Sequence, residues 1–148
     1  MRIINFNIEK RFKMNILLVD DSRTVRQVLE NIINSYFETQ KWKKPNLYTA
    51  CDGLEALENM QTLDIDMMFL DYNMPNMNGE EALLKIRENK KWNDTRIIMA
   101  TTEGGKEKVI KLIKAGANGY MVKPFDKEYI FKIMGNIIKR MSKKPVSI

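Results

Sequence analysis

The stretch Ile16-Leu17-Leu18-Val19-Asp20-Asp21 decides the fold, because a short apolar run ends abruptly in two acids. Two other stretches repeat this plan: Met67-Met68-Phe69-Leu70 is followed by Asp71, and Tyr120-Met121-Val122 is followed by Lys123-Pro124. Apolar runs of this length are typical of strands buried on both faces, as in a parallel sheet. The charged residues then lie together along one edge of that sheet, and packing alone does not explain them.

Strand and helix signals alternate five times along the chain. The two remaining strands are predicted at Asn46 to Ala50 and Arg96 to Ala100, and the fourth helix at Lys106 to Ala115, bracketed by glycines. This alternation predicts an α/β fold with five parallel strands and helices on both faces of the sheet.

The helix starts are marked by capping residues. Ser22 and Asp126 are expected to cap the first and last helices, and Asp52-x-x-Glu55 and Asn78-x-x-Glu81 resemble capping boxes for two helices between them. Apolar residues at helical spacing predict the buried stripe of the first helix: Val25, Val28, Leu29, Ile32, Ile33 and Tyr36.

With 148 residues and 44% hydrophobic content, the chain matches one domain with one core. We expect this domain at residues 14–142, with a short basic tail at residues 143–148. Residues 1–13 are either a flexible arm or a segment ahead of a physiological start at Met14. The connector from Glu38 to Pro45 is long, and its Trp42 is either a local packing cover or an anchor for a partner.

Composition also excludes several classes of function. No apolar stretch approaches the roughly 20 residues of a membrane span, and the start lacks the apolar core of a secretory signal, so we expect a cytoplasmic protein without membrane insertion. Cys51 is the only cysteine, which we expect to pack at a strand end. The absence of histidine removes Ser/His and Cys/His pairs, and any phosphoryl group must come from another molecule.

The net charge of +6 is spread over the chain rather than gathered in one motif. A solvated surface is the plainest explanation, and a basic face that attracts acidic protein partners is the alternative. No motif that reads nucleic-acid bases accompanies the charge, so we expect no direct nucleic-acid binding.

Asp20, Asp21 and Asp71 follow strands of one parallel sheet, at whose carboxyl edge ligands usually bind. Carboxylates this close repel one another unless a cation neutralises them. Hard oxygen ligands suit Mg²⁺, which also binds phosphate oxygens. Capping of the first helix explains Asp20 and Asp21 alone, but it does not explain Asp71, which opens a turn-rich loop straight after a buried strand.

In order along the chain, the sequence carries the Asp20-Asp21 pair, Asp71 with Asn73-Met74-Pro75 and Gly79, Thr101, and the run Ala115 to Phe125. Together these elements resemble response-regulator receiver domains, most closely the single-domain chemotaxis (CheY) type. The resemblance spans about Asn15 to Met141. It implies the flavodoxin-like strand order 2-1-3-4-5, of which this same family is a well-known example.

The resemblance implies a role for each matching residue. Asp71 would be the phosphoacceptor, and Asp20, Asp21, Asp71 and the backbone carbonyl of Asn73 would hold Mg²⁺. Lys123 would pair with the phosphoryl oxygens, and the bond to Pro124 would be cis, although a plain helix-start proline is the alternative. Thr101 and Tyr120 would form the switch, and Asn73 and Glu103 would tune dephosphorylation.

Two residues depart from the family pattern. Thr102 is larger than the residue that usually follows the switch threonine, so phosphodonors would enter a tighter site. Tyr72 stands where close relatives carry tryptophan, which would change the cover of the site more than its chemistry.

The implied function is a stand-alone two-component response regulator rather than an enzyme acting on outside substrates. Its expected partners are a sensor histidine kinase of the chemotaxis type, a flagellar motor switch protein or another protein target, and a phosphatase. A phosphorelay intermediate and a regulator of a separate output protein remain open. An aspartate-nucleophile phosphatase fits less well, because such enzymes need a second acid where this chain has Asn73.

Overall fold

The computed structural model describes residues 11–148. Its strands, in chain order, are β1 Arg11–Phe12, β2 Asn15–Val19, β3 Asn46–Ala50, β4 Met67–Asp71, β5 Arg96–Thr101, β6 Gly119–Val122 and β7 Lys144–Pro145. Its helices are α1 Arg23–Thr39, α2 Gly53–Thr62, α3 Gly79–Glu88, α4 Lys106–Lys114 and α5 Lys127–Arg140, with a 3₁₀ turn at Lys90–Trp92.

Five parallel strands form the main sheet in the order β3-β2-β4-β5-β6. Counted from β2, this is the 2-1-3-4-5 order, so the predicted fold class is confirmed. The register pairs Val19 with both Ala50 and Leu70, and it pairs Thr101 with Val122. The carboxyl ends of the strands therefore finish level with one another, and the residues that follow them share one edge.

Two apolar layers cover the sheet. On one face α1 and α5 bury residues such as Ile33, Phe37 and Met134. On the other face α2, α3 and α4 bury residues such as Met60, Ile86 and Leu112. Nearly every side chain of β2 and β4 is fully buried, because helices lie on both sides of these central strands.

The predicted helix caps are present in the structure. Ser22, Asp52, Asn78 and Asp126 each accept a hydrogen bond from a backbone N–H in the first turn of their helix. The box at Asp52 closes one residue early, because the Glu55 side chain accepts from the N–H of Cys51.

Two expectations about single residues are wrong. Val28 is 42% exposed, because the buried stripe of α1 runs through Leu29, Ile33, Tyr36 and Phe37 and leaves Val28 on its border. Cys51 is exposed rather than packed, since it lies one residue beyond the buried end of β3.

The connector between α1 and β3 is held by a packing contact that the sequence predicts and by a backbone contact that it does not. Trp42 packs edge-on against Tyr36 and Phe37, with ring centroids 5.9 and 5.6 Å away, which confirms local packing. The terminal segment also docks here: the N–H of Lys43 donates to the Val146 carbonyl at 2.7 Å, and β7 pairs in parallel with β1. The domain bounds at residues 14 and 142 stay a prediction.

Within the part of the chain that the structure describes, no helix combines the length and the apolar character needed to cross a bilayer.

Arg87 of α3 binds two connections, the one between α3 and β5 and the one between α4 and β6. Its guanidinium donates to the carbonyls of Gly116, Trp92 and Thr95 at 2.9, 3.0 and 2.7 Å, and to the Asn118 side chain at 2.9 Å. The backbone of Gly116 approaches this side chain so closely, at φ +112, that a Cβ there would lie 2.7 Å from Arg87 Cγ. Arg87 thereby satisfies the carbonyls that end α4 and precede β5.

Replacing Arg87 with alanine leaves several partly buried carbonyls without donors, so we expect R87A to lower the free energy of unfolding by about 2–4 kcal/mol. Urea unfolding measures this loss. Lys85→Ala, an exposed change on the same helix, should stay within about 0.5 kcal/mol of wild type. An R87A protein as stable as K85A would contradict the role given to these bonds.

Candidate carboxylate site at the carboxyl end of the sheet

Asp20 and Asp71 are held below the surface by the two central strands. Asp71 is the last residue of β4 and Asp20 directly follows β2, and their exposed fractions are only 4% and 2%. The Asp20 backbone N–H donates to the Ala50 carbonyl at 3.1 Å, and its Oδ1 accepts from the Ser22 N–H at 2.8 Å. These bonds fix the direction of the Asp20 carboxylate. Asp21, the next residue, is exposed.

The three acids predicted to bind a metal do come together. One carboxylate oxygen from each of Asp20, Asp21 and Asp71 lies within 4.8 Å of the other two. A set of hard oxygen ligands, two of them buried, fits a small divalent cation. Asn73 lies exposed two residues beyond Asp71, in the loop that leads to α3.

Lys123 supplies the positive charge of the site. Its Nζ lies 2.6 Å from Asp20 Oδ2 and 3.1 Å from Asp71 Oδ1, and its side chain is 17% exposed. The Lys123 backbone donates to the Thr101 carbonyl at 2.7 Å, which extends the β5–β6 pairing to this residue. The Lys123–Pro124 peptide bond is cis.

The surroundings of Asp71 raise its pKa above the ordinary value for aspartate. Burial is the largest cause, the charge of Asp20 adds to it, and the hydrogen bond and charge of Lys123 oppose it. For Lys123, burial would lower the pKa, but the hydrogen bonds and charges of Asp20 and Asp71 outweigh burial and raise it. Asp20, Asp21 and Asp71 also outnumber the Lys123 ammonium, so the site carries a net negative charge that a second cation would reduce.

The loop after Asp71 is tied down at both ends. Gly79 is required there, because a Cβ would lie 2.2 Å from the Asp71 carbonyl oxygen. Asn76 takes a positive φ of 65°, and its side-chain amide donates to Asp52 Oδ2 at 2.7 Å, next to α2. The loop after Asp71 is thereby held against the start of a neighbouring helix.

Neither residue of the predicted switch pair is shown with a hydrogen bond to the three acids; both bond to Glu103. The Thr101 hydroxyl, fully buried, accepts from the Glu103 N–H at 3.2 Å and from Lys108 Nζ at 3.3 Å. Tyr120 is 9% exposed, and its hydroxyl donates to the Glu103 carbonyl. Glu103 thus links the two residues through its backbone, while its side chain is exposed.

Two groups of contacts were missed from the sequence. Arg26 Nη1 donates to the Asp20 carbonyl at 2.7 Å, and its place one turn after the Ser22 cap was the available signal. Lys108 lies 3.6 Å from the centre of the Tyr72 ring, while the Tyr72 hydroxyl donates to Glu80 at 3.0 Å. Nothing in the sequence separates Lys108 from the other lysines of α4.

Fold and site together define a doubly wound α/β domain with buried carboxylates and a lysine at the carboxyl edge of its sheet. A family model described as "Response regulator receiver domain" matches residues 16–134. The chain belongs to this family.

Several relatives of the chain are named as chemotaxis proteins. The chain is 37% identical to "Chemotaxis protein CheY homolog" of Campylobacter jejuni, over 84% of this chain and 92% of the relative. It is 39% identical to "Chemotaxis protein CheY1" of Helicobacter pylori, over 76% and 86%. The solved structure of Vibrio cholerae chemotaxis protein CheY4 superposes with a TM-score of 0.74 at 32% identity, covering 85% of this chain and 99% of that one. The chain is therefore a receiver domain of the CheY type.

Replacing Asp71 with asparagine removes a buried charge next to Asp20, so we expect D71N to raise the free energy of unfolding at pH 7 by about 1 kcal/mol. The raised pKa of Asp71 means that the folded protein binds this proton more tightly than the unfolded chain. Wild-type stability is therefore lost as the pH rises through the folded pKa, and the gain in D71N shrinks toward acid pH.

Urea unfolding at pH 4 and pH 7, without divalent ions, measures both effects. Asp21→Asn is the matched control, because this acid is exposed and its loss should change stability by less than about 0.5 kcal/mol. A D71N protein less stable than wild type at pH 7 would show that attraction to Lys123 outweighs burial.

Proposed function

We propose that the chain is a single-domain response regulator in which Asp71 accepts a phosphoryl group from a sensor histidine kinase. The observation that carries this proposal is the position of Asp71, buried to 4% exposure at a strand end, with two acids and the Lys123 ammonium around it. A structural ion pair does not need two buried carboxylates on one lysine and a third acid within 4.8 Å of them. A reactive carboxylate that must meet a phosphoryl group does need neighbours that hold cations.

In the proposed reaction, a carboxylate oxygen of Asp71 attacks the phosphorus of a phosphohistidine or of a small acyl phosphate. A new P–O bond forms while the bond from phosphorus to the leaving nitrogen or oxygen breaks, and the leaving group takes the electron pair. The Lys123 ammonium, 3.1 Å from Asp71 Oδ1, is the side chain placed to pair with the charge brought to this carboxylate. Water later attacks the aspartyl phosphate and regenerates Asp71.

Asp20, Asp21, Asp71 and the Asn73 carbonyl are the groups proposed to hold Mg²⁺. When bound, the ion would neutralise the repulsion between the carboxylate and the incoming phosphoryl group. The fit rests on the donor set: three carboxylate oxygens within 4.8 Å of one another and a single lysine to balance them.

The proposed switch uses the backbone of Glu103. Thr101 would turn its hydroxyl to the phosphoryl group and so give up its bond from the Glu103 N–H. The Glu103 carbonyl accepts a hydrogen bond from the Tyr120 hydroxyl, so a shift of Glu103 would change the position of the Tyr120 ring. A charge event at Asp71 would thus reach the surface formed by α4, β6 and α5.

That surface is the proposed output face. A groove of about 580 Å³ runs between α4, β6 and α5, with Val122 and Tyr129 among its lining residues and both more than 40% exposed. Lys106 and Arg140 also line it, which favours an acidic protein partner. By relation to chemotaxis proteins, we propose a flagellar motor switch protein as target, a phosphatase as a further partner, and action in the cytoplasm.

Treatment with acetyl phosphate and Mg²⁺ should add one phosphoryl mass to the protein, located at Asp71 by peptide mass spectrometry after borohydride trapping. We expect D71N to lose this mass and Asp20→Asn or chelation of Mg²⁺ to reduce labelling at least tenfold. Asp64→Asn, an exposed acid at the opposite end of the sheet, should label like wild type.

Labelling that persists fully in D71N would overturn the proposal. Sustained hydrolysis of a phosphomonoester such as p-nitrophenyl phosphate, abolished in D71N, would instead favour the phosphatase alternative.

The exposed side chains of Asn73 and Glu103 are proposed to set the lifetime of the aspartyl phosphate, because polar groups beside it position or admit the attacking water. Asn73→Ala and Glu103→Ala should each change the rate of phosphate loss by roughly threefold or more, followed after removal of the phosphodonor. Glu107→Ala, an exposed acid on α4, serves as control. Unchanged decay in both variants would rule this role out.

A further inference from the structure

Lys108 makes three contacts that converge on the proposed switch. Its Nζ donates to the Thr101 hydroxyl at 3.3 Å, lies 3.6 Å from a Glu103 carboxylate oxygen, and stands 3.6 Å from the centre of the Tyr72 ring. The side chain is only 20% exposed, although it starts from the first turn of a surface helix. This lysine is therefore held in place rather than extended into water.

The contacts of Lys108 connect Tyr72, which follows strand β4, with Thr101. Tyr72 directly follows Asp71, and its hydroxyl is held by Glu80, which also pairs with Lys111 at 3.0 Å. The Tyr72 ring is thus fixed from α3 and α4 and offers its face to the Lys108 ammonium. Lys108 in turn occupies one acceptor position of the Thr101 oxygen, and the Glu103 N–H occupies the other.

We propose that Lys108 is a positioning residue that latches the Thr101 hydroxyl in the resting state and thereby opposes the move to the phosphorylated state. This inference rests on the proposed function, because it concerns Thr101, whose hydroxyl is proposed to bond the phosphoryl group. When Thr101 turns away, Lys108 loses one hydrogen bond but keeps Tyr72 and Glu103 as partners. Breaking the hydrogen bond from Lys108 to Thr101 therefore adds to the free energy of switching. New contacts made with the phosphoryl group must offset this free energy.

The latch predicts that removing the ammonium group makes the phosphorylated state easier to reach. Lys108→Met keeps the apolar stem against Tyr72 and deletes the hydrogen bond. We expect this variant to bind beryllofluoride with Mg²⁺, a mimic of the phosphoryl group, about five- to tenfold more tightly than wild type.

Nuclear magnetic resonance supplies the readout, through the amide signals of Thr101, Glu103 and Tyr120. In the absence of beryllofluoride, these signals in K108M should already lie part of the way toward their positions in the bound wild type. A merely structural loss would not move them along that line. Thermal unfolding of each variant checks that the fold is kept.

Two variants serve as controls. Lys114→Met makes the same change of charge at an exposed position on the same helix and should bind beryllofluoride like wild type. Lys108→Arg keeps a cation that can donate to Thr101, so it should restore affinity to within about twofold of wild type.

The outcomes separate the latch from the function on which it rests. Equal affinity in K108M and K114M would overturn the latch, and weaker binding in K108M alone would assign Lys108 to attraction of the anion instead. If wild type and all variants fail to bind beryllofluoride at Asp71, the proposed function fails, and the latch fails with it.

Discussion

The enclosure of two like charges at the end of the sheet is the constraint on which the rest of the structure depends. Asp20 and Asp71 end neighbouring central strands and are almost fully buried, and Lys123 lies between their oxygens at 2.6 and 3.1 Å. Burial of charge is costly unless partners compensate, and here one lysine compensates two carboxylates. Repulsion between the two carboxylates is therefore only partly offset by Lys123. A bound cation or phosphoryl group would change the electrostatic energy of this site more than that of a neutral cluster.

Parallel pairing converts this local chemistry into a shared geometry. Because β2, β4, β5 and β6 end level, the acids, Thr101 and Lys123 arrive at one edge although they are far apart in sequence. The same strands are sealed on both faces by helices, so the edge is the place where their polar ends meet solvent. Glu103 and Lys108, just beyond this edge, carry the contacts outward to α4.

Local signals in the sequence were enough for much of this architecture. The five strands of the main sheet follow from apolar runs, and the four side-chain caps follow from cap residues. The meeting of Asp20, Asp21, Asp71 and Lys123 follows from the rule that parallel strands end together, whereas β1 and β7 were not predicted. The strand order came from family resemblance rather than periodicity. The predictions that Val28 and Cys51 are buried were wrong, because burial at the border of a helix stripe or at a strand end depends on neighbours distant in sequence. Arg26, Arg87 and Lys108 form contacts set by the folded arrangement, which spacing alone does not reveal.

The pairing of β1 with β7 bears on the order in which the chain assembles. Arg11 pairs with Lys144, so this two-stranded ribbon joins segments from opposite ends of the described chain. Closing so long a loop has a high entropic cost. This cost falls once the intervening domain has folded and brought the two segments together. We therefore expect the ribbon to form late in folding and to open early in unfolding. Since it lies by the amino ends of the strands, where residues 141–143 line one pocket with Asp64 and Asp66, we expect its fraying to leave the carboxylate edge undisturbed.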